Sequence, residues 1–397
     1  MKKLLLTCSL LFSTSVLYGC GATDTTTDSN VTSSNGQACN VGDVQLLADF
    51  PTSRMDECRR VGSSEFEVVL KPENTPINSS VWYAFKTVAK QPTKVKVTMK
   101  VDGDVHRYLP KASTDLKTWS LIDFNDDGEL RSFSVTANST PTYIAGQEII
   151  NNQYYVDWAK KLQNMTDISH EVLGHSIQNR PIYKLETKAD SNKWLVLLGR
   201  MHPPEVTGAL ALFPFVETLL ADNQLANDFR RQYNILLIPN INPDGVYAGN
   251  WRHNMNGVDL NRDWNKFKQP EVQQINAYLE QLVANGQKIE FAIDFHSTRR
   301  DIFYTMPSDY GVEKPYFVEH WLGELDRQMP KFEVIQKPGN NPNAGVSKQY
   351  FADKFGIHAI TYEMGDNTDR QEIVRIADKA ATTLMSVMLS EQDHNVK

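Results

Sequence analysis

The sequence predicts an antiparallel β-sandwich over residues 41–148, followed by an α/β domain over 149–393 built on a mixed, largely parallel sheet flanked by helices. Three observations carry that reading. The chain has 397 residues, and at roughly 100–200 residues per domain this length accommodates two cores. From about Phe66 to Ala145 the apolar residues recur at every second position, in FEVVLKP, SVWYAFKTV, TKVKVTMKV and RSFSVTA. Such short runs, rich in Val, Thr and aromatics and separated by polar turns, are the pattern of half-buried strands, about seven or eight of them. Beyond Asn151 the pattern changes. KWLVLLG, YNILLIPN, IEFAIDF and HAITYEM are apolar along their length, as strands covered on both faces must be. Around them EVTGALALFPFVETLLAD, QPEVQQINAYLEQLVANG, KPYFVEHWLGELDRQM and RQEIVRIADKAATTLMSVML have helical spacing.

The first forty residues read as an address and not as a fold. Met1-Lys2-Lys3 precedes the apolar stretch LLLTCSLLFSTSVLY, so residues 1–19 are expected to be an export signal, short for a membrane span. Leu17-Tyr18-Gly19-Cys20 resembles the lipobox of bacterial lipoproteins. That resemblance implies a lipidated Cys20, a membrane partner reached through acyl chains, and residence in the bacterial cell envelope. Gly21 in place of Asp favours the outer membrane or its periplasmic face. Residues 20–40 are polar and short-sided and read as a tether. Cys39 and Cys58 are then the remaining pair in an exported chain, and an oxidising compartment predicts a disulfide between them.

Composition excludes several functions. Lys and Arg total 41 against 48 Asp and Glu, a formal charge of −7, so no overall basic field gathers a phosphate backbone and nucleic acid is not an expected partner. The four cysteines end at Cys58, which leaves His and carboxylate as the donors for any metal farther along. Two local motifs are decoys. His170-Glu171-Val172-Leu173-Gly174-His175 imitates a helical HExxH zinc motif, but its histidines are five apart instead of four and its flanks suit a β-hairpin. Asp123-Phe124-Asn125-Asp126-Asp127-Gly128 imitates the start of a calcium loop, yet the twelfth position is Ser134 and not Glu. A polar hairpin turn is expected there.

His202 is different: Glu205 follows it three residues on, just past the end of the strand WLVLLG. In open α/β sheets ligands collect at the carboxyl ends of the strands. Asn242, His296 and Glu363 follow other predicted strands to the same edge. Pro203 and Pro204 suit the first turn of a helix.

The segments GRMHPPE, NPDG, NWRHNMNGVDLNRDW, IDFHS and ITYEMGDNT, in this order from about Lys193 to Asp366, resemble the zinc metallocarboxypeptidase family, with a carboxypeptidase A-like catalytic domain. The WYAF-like strand ahead of them resembles the cytosolic branch of that family, which has an N-terminal β-sandwich. The resemblance implies a single zinc ion held by His202, Glu205 and His296, with Asp259 orienting a ligand histidine. It implies Glu363 as general base, Arg252 as stabiliser of the oxyanion, and Asn261 with Arg262 as the pair holding the free carboxylate of a peptide or protein C-terminus. Lys348 aligns with the floor of the pocket for the C-terminal side chain, where a cation suits a terminal Glu or Asp.

The sequence also departs from the family pattern. The place of the family's mobile tyrosine is taken by Asn341, with Tyr350 nearby on an expected helix, and Pro204 replaces an Arg found between the ligands of pancreatic members. Two rival readings stand beside the main one: a zinc amidase or carboxypeptidase acting on cell-wall stem peptides, and a catalytically inactive surface binding protein.

Overall fold

The computed structural model describes residues 38–41 and 43–393, and every count below refers to these. The export signal, Cys20 and most of the tether lie outside the described residues. No helix among those described is long and apolar enough to cross a membrane.

The period-two region forms two sheets. The first, in spatial order, is Ala38–Val41, Val44–Leu47, Ala84–Ala89, Thr142–Ala145, Lys111–Ser113 and Ser120–Leu121, all antiparallel. The second is Glu57–Arg60, Glu65–Leu70, Thr93–Val101, Leu130–Ala137 and Phe124–Asp126. Its centre departs from the antiparallel expectation, because Glu65–Leu70 runs parallel to Thr93–Val101. The chain between them leaves to build Ala84–Ala89 in the other sheet, and a connection of that kind permits parallel pairing. Alternate residues of both sheets, among them Leu46, Phe85 and Ile144 from the first and Val68, Val97 and Phe133 from the second, enter one apolar cluster. Cys39 and Cys58 form the expected disulfide, with Cα atoms 5.7 Å apart. It ties the edge strand of one sheet to the edge strand of the other.

The third sheet is mixed. Its order is Ile168–His175, Pro181–Thr187, Asn234–Ile238, Lys193–Gly199, Lys288–Thr298, Ala359–Gly365, Ile302–Thr305 and Gln336–Pro338. The four expected strands are its parallel centre. Their apolar runs follow from burial on both faces: Leu195 and Leu197 join one core cluster, while Trp194, Val196 and Leu198 join another. Helices Val206–Leu219, Phe317–Gln328 and Arg370–Asp393 cover the first face, and Pro270–Ala284 with Ser347–Phe355 covers the second. The first face shares its cluster with the N-terminal sheets.

Both decoys resolve as hairpins. Ile168–His175 pairs antiparallel with Pro181–Thr187. At the other, Asp126 and Asp127 carboxylates accept backbone N–H bonds from Gly128 and Leu130, closing a polar turn.

Candidate metal centre and cavity

The carboxyl ends of the parallel strands carry the site. Lys193–Gly199 is followed by Arg200, whose φ of 56° is left-handed for a residue bearing a side chain. The turn is held by the Arg200 guanidinium, which donates to the Pro203 carbonyl at 2.8 Å and to the Tyr155 hydroxyl at 2.8 Å. His202 and the two prolines occupy this turn, and the helix begins only at Val206, with Glu205 as its N-cap. The prolines therefore precede the first helical turn instead of forming it. Gly208, in that helix, lies so close to the next strand that a Cβ would sit 2.5 Å from the His296 carbonyl oxygen. Glycine there lets the helix start press against the strand end that carries His296.

His202, Glu205 and His296 converge, with their donor atoms within 4.8 Å of one another and all three side chains buried. The two rings present the same atom inward: His202 Nδ1 is 2.9 Å and His296 Nδ1 2.7 Å from the Glu205 carboxylate. Each outer Nε2 meets an aspartate, His202 on Asp259 at 2.9 Å and His296 on Asp294 at 2.8 Å. Two imidazoles and one carboxylate are a donor set suited to zinc, and outer carboxylates fix the tautomer that leaves the inner nitrogens as ligands. The residues therefore fit a bound metal.

Electrostatics agree with a site built for a cation. Burial alone would raise the Glu205 carboxyl, but the His202 and His296 rings outweigh it and hold it well below the usual range. Burial would lower His296, yet Asp294 and Glu205 hold it well above the ordinary histidine value. Asp259 is also held low, because His202 and Arg252 overcome its burial.

Glu363 behaves in the opposite sense. It faces His296 across the parallel pair Lys288–Thr298 and Ala359–Gly365. Burial, reinforced by Glu205, pushes its carboxyl up to about 8. Its Oε2 is buried and has no hydrogen-bond partner among the described residues. A carboxyl of this kind, beside a donor set that fits a metal and with one oxygen uncommitted, is equipped to exchange a proton.

A cavity of about 760 Å³ opens over these groups and is also lined by Arg252, Asn261, Arg262 and Lys348. Arg252 Nε bonds Asp259 at 2.7 Å, and its Nη1 lies 3.7 Å from Glu205. Asn261 is buried, accepts from the Ser347 backbone at 2.9 Å and approaches His296 Nε2 at 3.4 Å. Arg262 is exposed at the wall and bonds the Asn261 carbonyl. Lys348 opens the helix Ser347–Phe355; its ammonium is held by the Thr305 and Gly339 carbonyls, and desolvation lowers it to about 8. Asn242 is not a lining residue. It caps the helix Pro243–Ala248 and ties the Met201 and His253 carbonyls together, at 3.1 and 3.2 Å.

Neither tyrosine position singled out from the family pattern lines the cavity. Asn341 is exposed, and Tyr350 is buried on its helix with its hydroxyl on Asn276 at 2.7 Å. Tyr304 is the lining tyrosine, and burial with Glu363 nearby raises its hydroxyl.

Other residues were missed. Asp294 stands two residues before His296, on the same face of one strand, and that period-two spacing was a usable signal. Arg107, Asn78 and Ser79 come from loops between the N-terminal strands and line the cavity too. Glu73 accepts three consecutive backbone N–H bonds, from Trp251, Arg252 and His253 at 2.8, 2.9 and 2.7 Å, and so fixes the loop that presents Arg252. Contacts spanning some 180 positions leave no local pattern in the sequence.

With this geometry in view, the zinc carboxypeptidase profile, peptidase M14, matches residues 155–383, more than half of the chain. The chain belongs to the zinc carboxypeptidase family. Cytosolic carboxypeptidase 6 of Caenorhabditis elegans is 22% identical over 81% of this chain and 79% of its own length. Mouse cytosolic carboxypeptidase 6 is 29% identical over 36% of this chain. The matched segments span only 29% and 31% of the mouse and human proteins. Among solved structures, a metallo-carboxypeptidase from Burkholderia cenocepacia shares the fold at a TM-score of 0.74, with 18% identity, covering 87% of this chain and 99% of that one. One from Pseudomonas aeruginosa does so at 0.71. These likenesses extend well beyond the profile's 155–383 and carry the carboxypeptidase-like α/β fold.

Proposed function

We propose that this protein is a zinc-dependent metallocarboxypeptidase that removes the C-terminal residue from peptides or proteins. The observation that carries the reading is the convergence of His202, Glu205 and His296 beside the uncommitted Glu363 oxygen. When bound there, zinc would acidify a water and polarise the scissile carbonyl. Glu363 takes the proton of the attacking water and returns it to the leaving amine, a task suited to a carboxyl poised near neutrality. Arg252, held by Asp259, donates to the oxyanion that develops on the carbonyl oxygen. Arg262 and Asn261 hold the substrate's free carboxylate, which restricts cleavage to the last peptide bond.

The preference we assign is for acidic C-terminal residues. Lys348 lines the cavity with its ammonium on the Thr305 and Gly339 carbonyls, while Arg262, Arg299 and Arg300 line the same cavity. That concentration of cations in a chain of net charge −7 supports a substrate that brings negative charge. Two further readings accompany this one. The two N-terminal sheets form a β-sandwich domain of residues 41–148, supported by their shared apolar cluster and disulfide. The protein is exported and held on the cell envelope by lipid at Cys20.

A peptide set differing only in its last residue, incubated with the purified protein with and without a chelator, tests the activity. Single terminal residues should be released, acidic ones fastest, and a chelator should stop release. Internal fragments, or cleavage confined to cell-wall stem peptides, would replace the reading.

A further inference from the structure

Resting on the carboxypeptidase reading, we propose that Arg107, supplied by the N-terminal sheets, is a positioning residue that keeps the strand ends bearing His296 and Glu363 in working register. Arg107 lies in the loop between the strands Thr93–Val101 and Lys111–Ser113, far in sequence from either group. Its guanidinium reaches across to both. Nε donates to Asp366 Oδ2 at 2.8 Å and Nη2 to Asp366 Oδ1 at 3.0 Å, a bidentate pair. Nη2 also donates to the Ser297 carbonyl at 2.9 Å, and Nη1 to the Ser80 hydroxyl at 2.5 Å.

The residues it joins are close neighbours of the chemistry. Ser297 follows His296; its backbone N–H donates to Glu205 at 3.2 Å, and its hydroxyl accepts from the Gly208 backbone at 2.7 Å. Asp366 follows the strand that carries Glu363, and its backbone N–H donates to the Thr298 carbonyl at 2.7 Å. One side chain thus binds the residue after a ligand histidine and the residue three beyond the candidate base. The pair is nearly dry, with side-chain exposures of 10% for Arg107 and 3% for Asp366. Removing one partner strands a buried charge, so the local arrangement must shift.

Four of the five N–H groups are committed to protein, although Arg107 lines the cavity. Its contribution therefore falls on the placement of Glu363 against the centre and not on substrate affinity. A displacement of about 1 Å at reacting groups costs on the order of 100-fold in rate. The N-terminal sheets, on this account, are part of the catalytic apparatus and more than an attached module.

The test uses the zinc-loaded full chain and an acidic-ended peptide. Wild type is assayed first, with a chelator control. Arg107→Ala and Asp366→Asn should each lower kcat by about 10- to 100-fold, with KM changed by less than about threefold, zinc content equal to wild type, and the double variant no worse than the poorer single one. Ser80→Ala, which leaves the guanidinium in place, should lower kcat by a few-fold in the same direction. Should Arg107→Ala not fold, Arg107→Lys and Ser80→Ala carry the test, and unaltered kcat in both overturns the proposal. A rise in KM at constant kcat, or additive losses in the double variant, overturns it as well. A wild type that releases nothing sinks the carboxypeptidase reading and this inference with it, whereas an active wild type with indifferent variants sinks this inference alone.

Discussion

His170 to His175 and His202 to Glu205 each place histidine and glutamate within six residues, and the two stretches come to opposite ends. In the first, the chain is an extended strand, so neighbours face opposite sides. Glu171 pairs with Lys184 at 3.0 Å while the His170 ring packs, tilted, against Tyr183 at 4.6 Å between ring centres. In the second, the left-handed turn at Arg200 and the helix start at Val206 swing both side chains inward, and a different strand delivers His296. What separates them further is the second carboxylate: each ring of the centre has an aspartate on its outer nitrogen, whereas among the described residues neither hairpin histidine is bonded to a carboxylate. A pair of residue types is not a site until the fold supplies convergence and outer partners.

That contrast can be broken by mutation, beginning with the largest effect. His296→Ala should abolish both zinc retention and release of terminal residues, measured by metal content and by peptide assay; a variant that keeps its zinc would move the centre elsewhere. Asp259→Asn and Asp294→Asn should each weaken zinc binding by about 10- to 100-fold, the usual worth of an outer partner, in chelator competition. Lys348→Ala should cost about 10-fold or more in the ratio of acidic to apolar turnover, the scale of a charged hydrogen bond, and an unchanged ratio would remove it from specificity.

Zinc uptake should also release protons and weaken as pH falls. Asp294 and Glu205 outweigh burial and raise the His296 ring above the ordinary histidine value, so wherever the ring carries a proton that proton must leave before it can ligate. Titration calorimetry at one pH in buffers of different ionisation heat reads the proton count directly, and zero protons at neutral pH would contradict the electrostatic account. The smallest effect belongs to the hairpin: His175→Ala, at an exposed position, should leave zinc content and activity unchanged and stability within about 0.5 kcal/mol.

Most of the centre was legible because its residues sit at strand ends, where apolar runs stop and chemistry-bearing side chains begin. His202, Glu205, His296 and Glu363 could be placed on one sheet edge from periodicity alone, and the resemblance supplied their roles. Asp294 was legible too, since an acid two positions before His296 on a strand shares its face. Arg107, Ser80 and Glu73 were not legible, since nothing in a polar loop such as DGDVHRYLP signals a partner some 260 positions away. The parallel pairing of Glu65–Leu70 with Thr93–Val101 was hidden for a related reason, because period two reports burial of one face and not strand direction.

The most direct test compares wild type with Glu363→Gln, both loaded with zinc, by mass spectrometry of one peptide ending in glutamate. The account predicts equal zinc content in the two proteins, loss of single C-terminal residues with wild type, and a rate lower by about 10²–10⁴-fold with the variant, the usual worth of a general base. Equal rates for both proteins, or cleavage by wild type within the peptide instead of at its end, would contradict it.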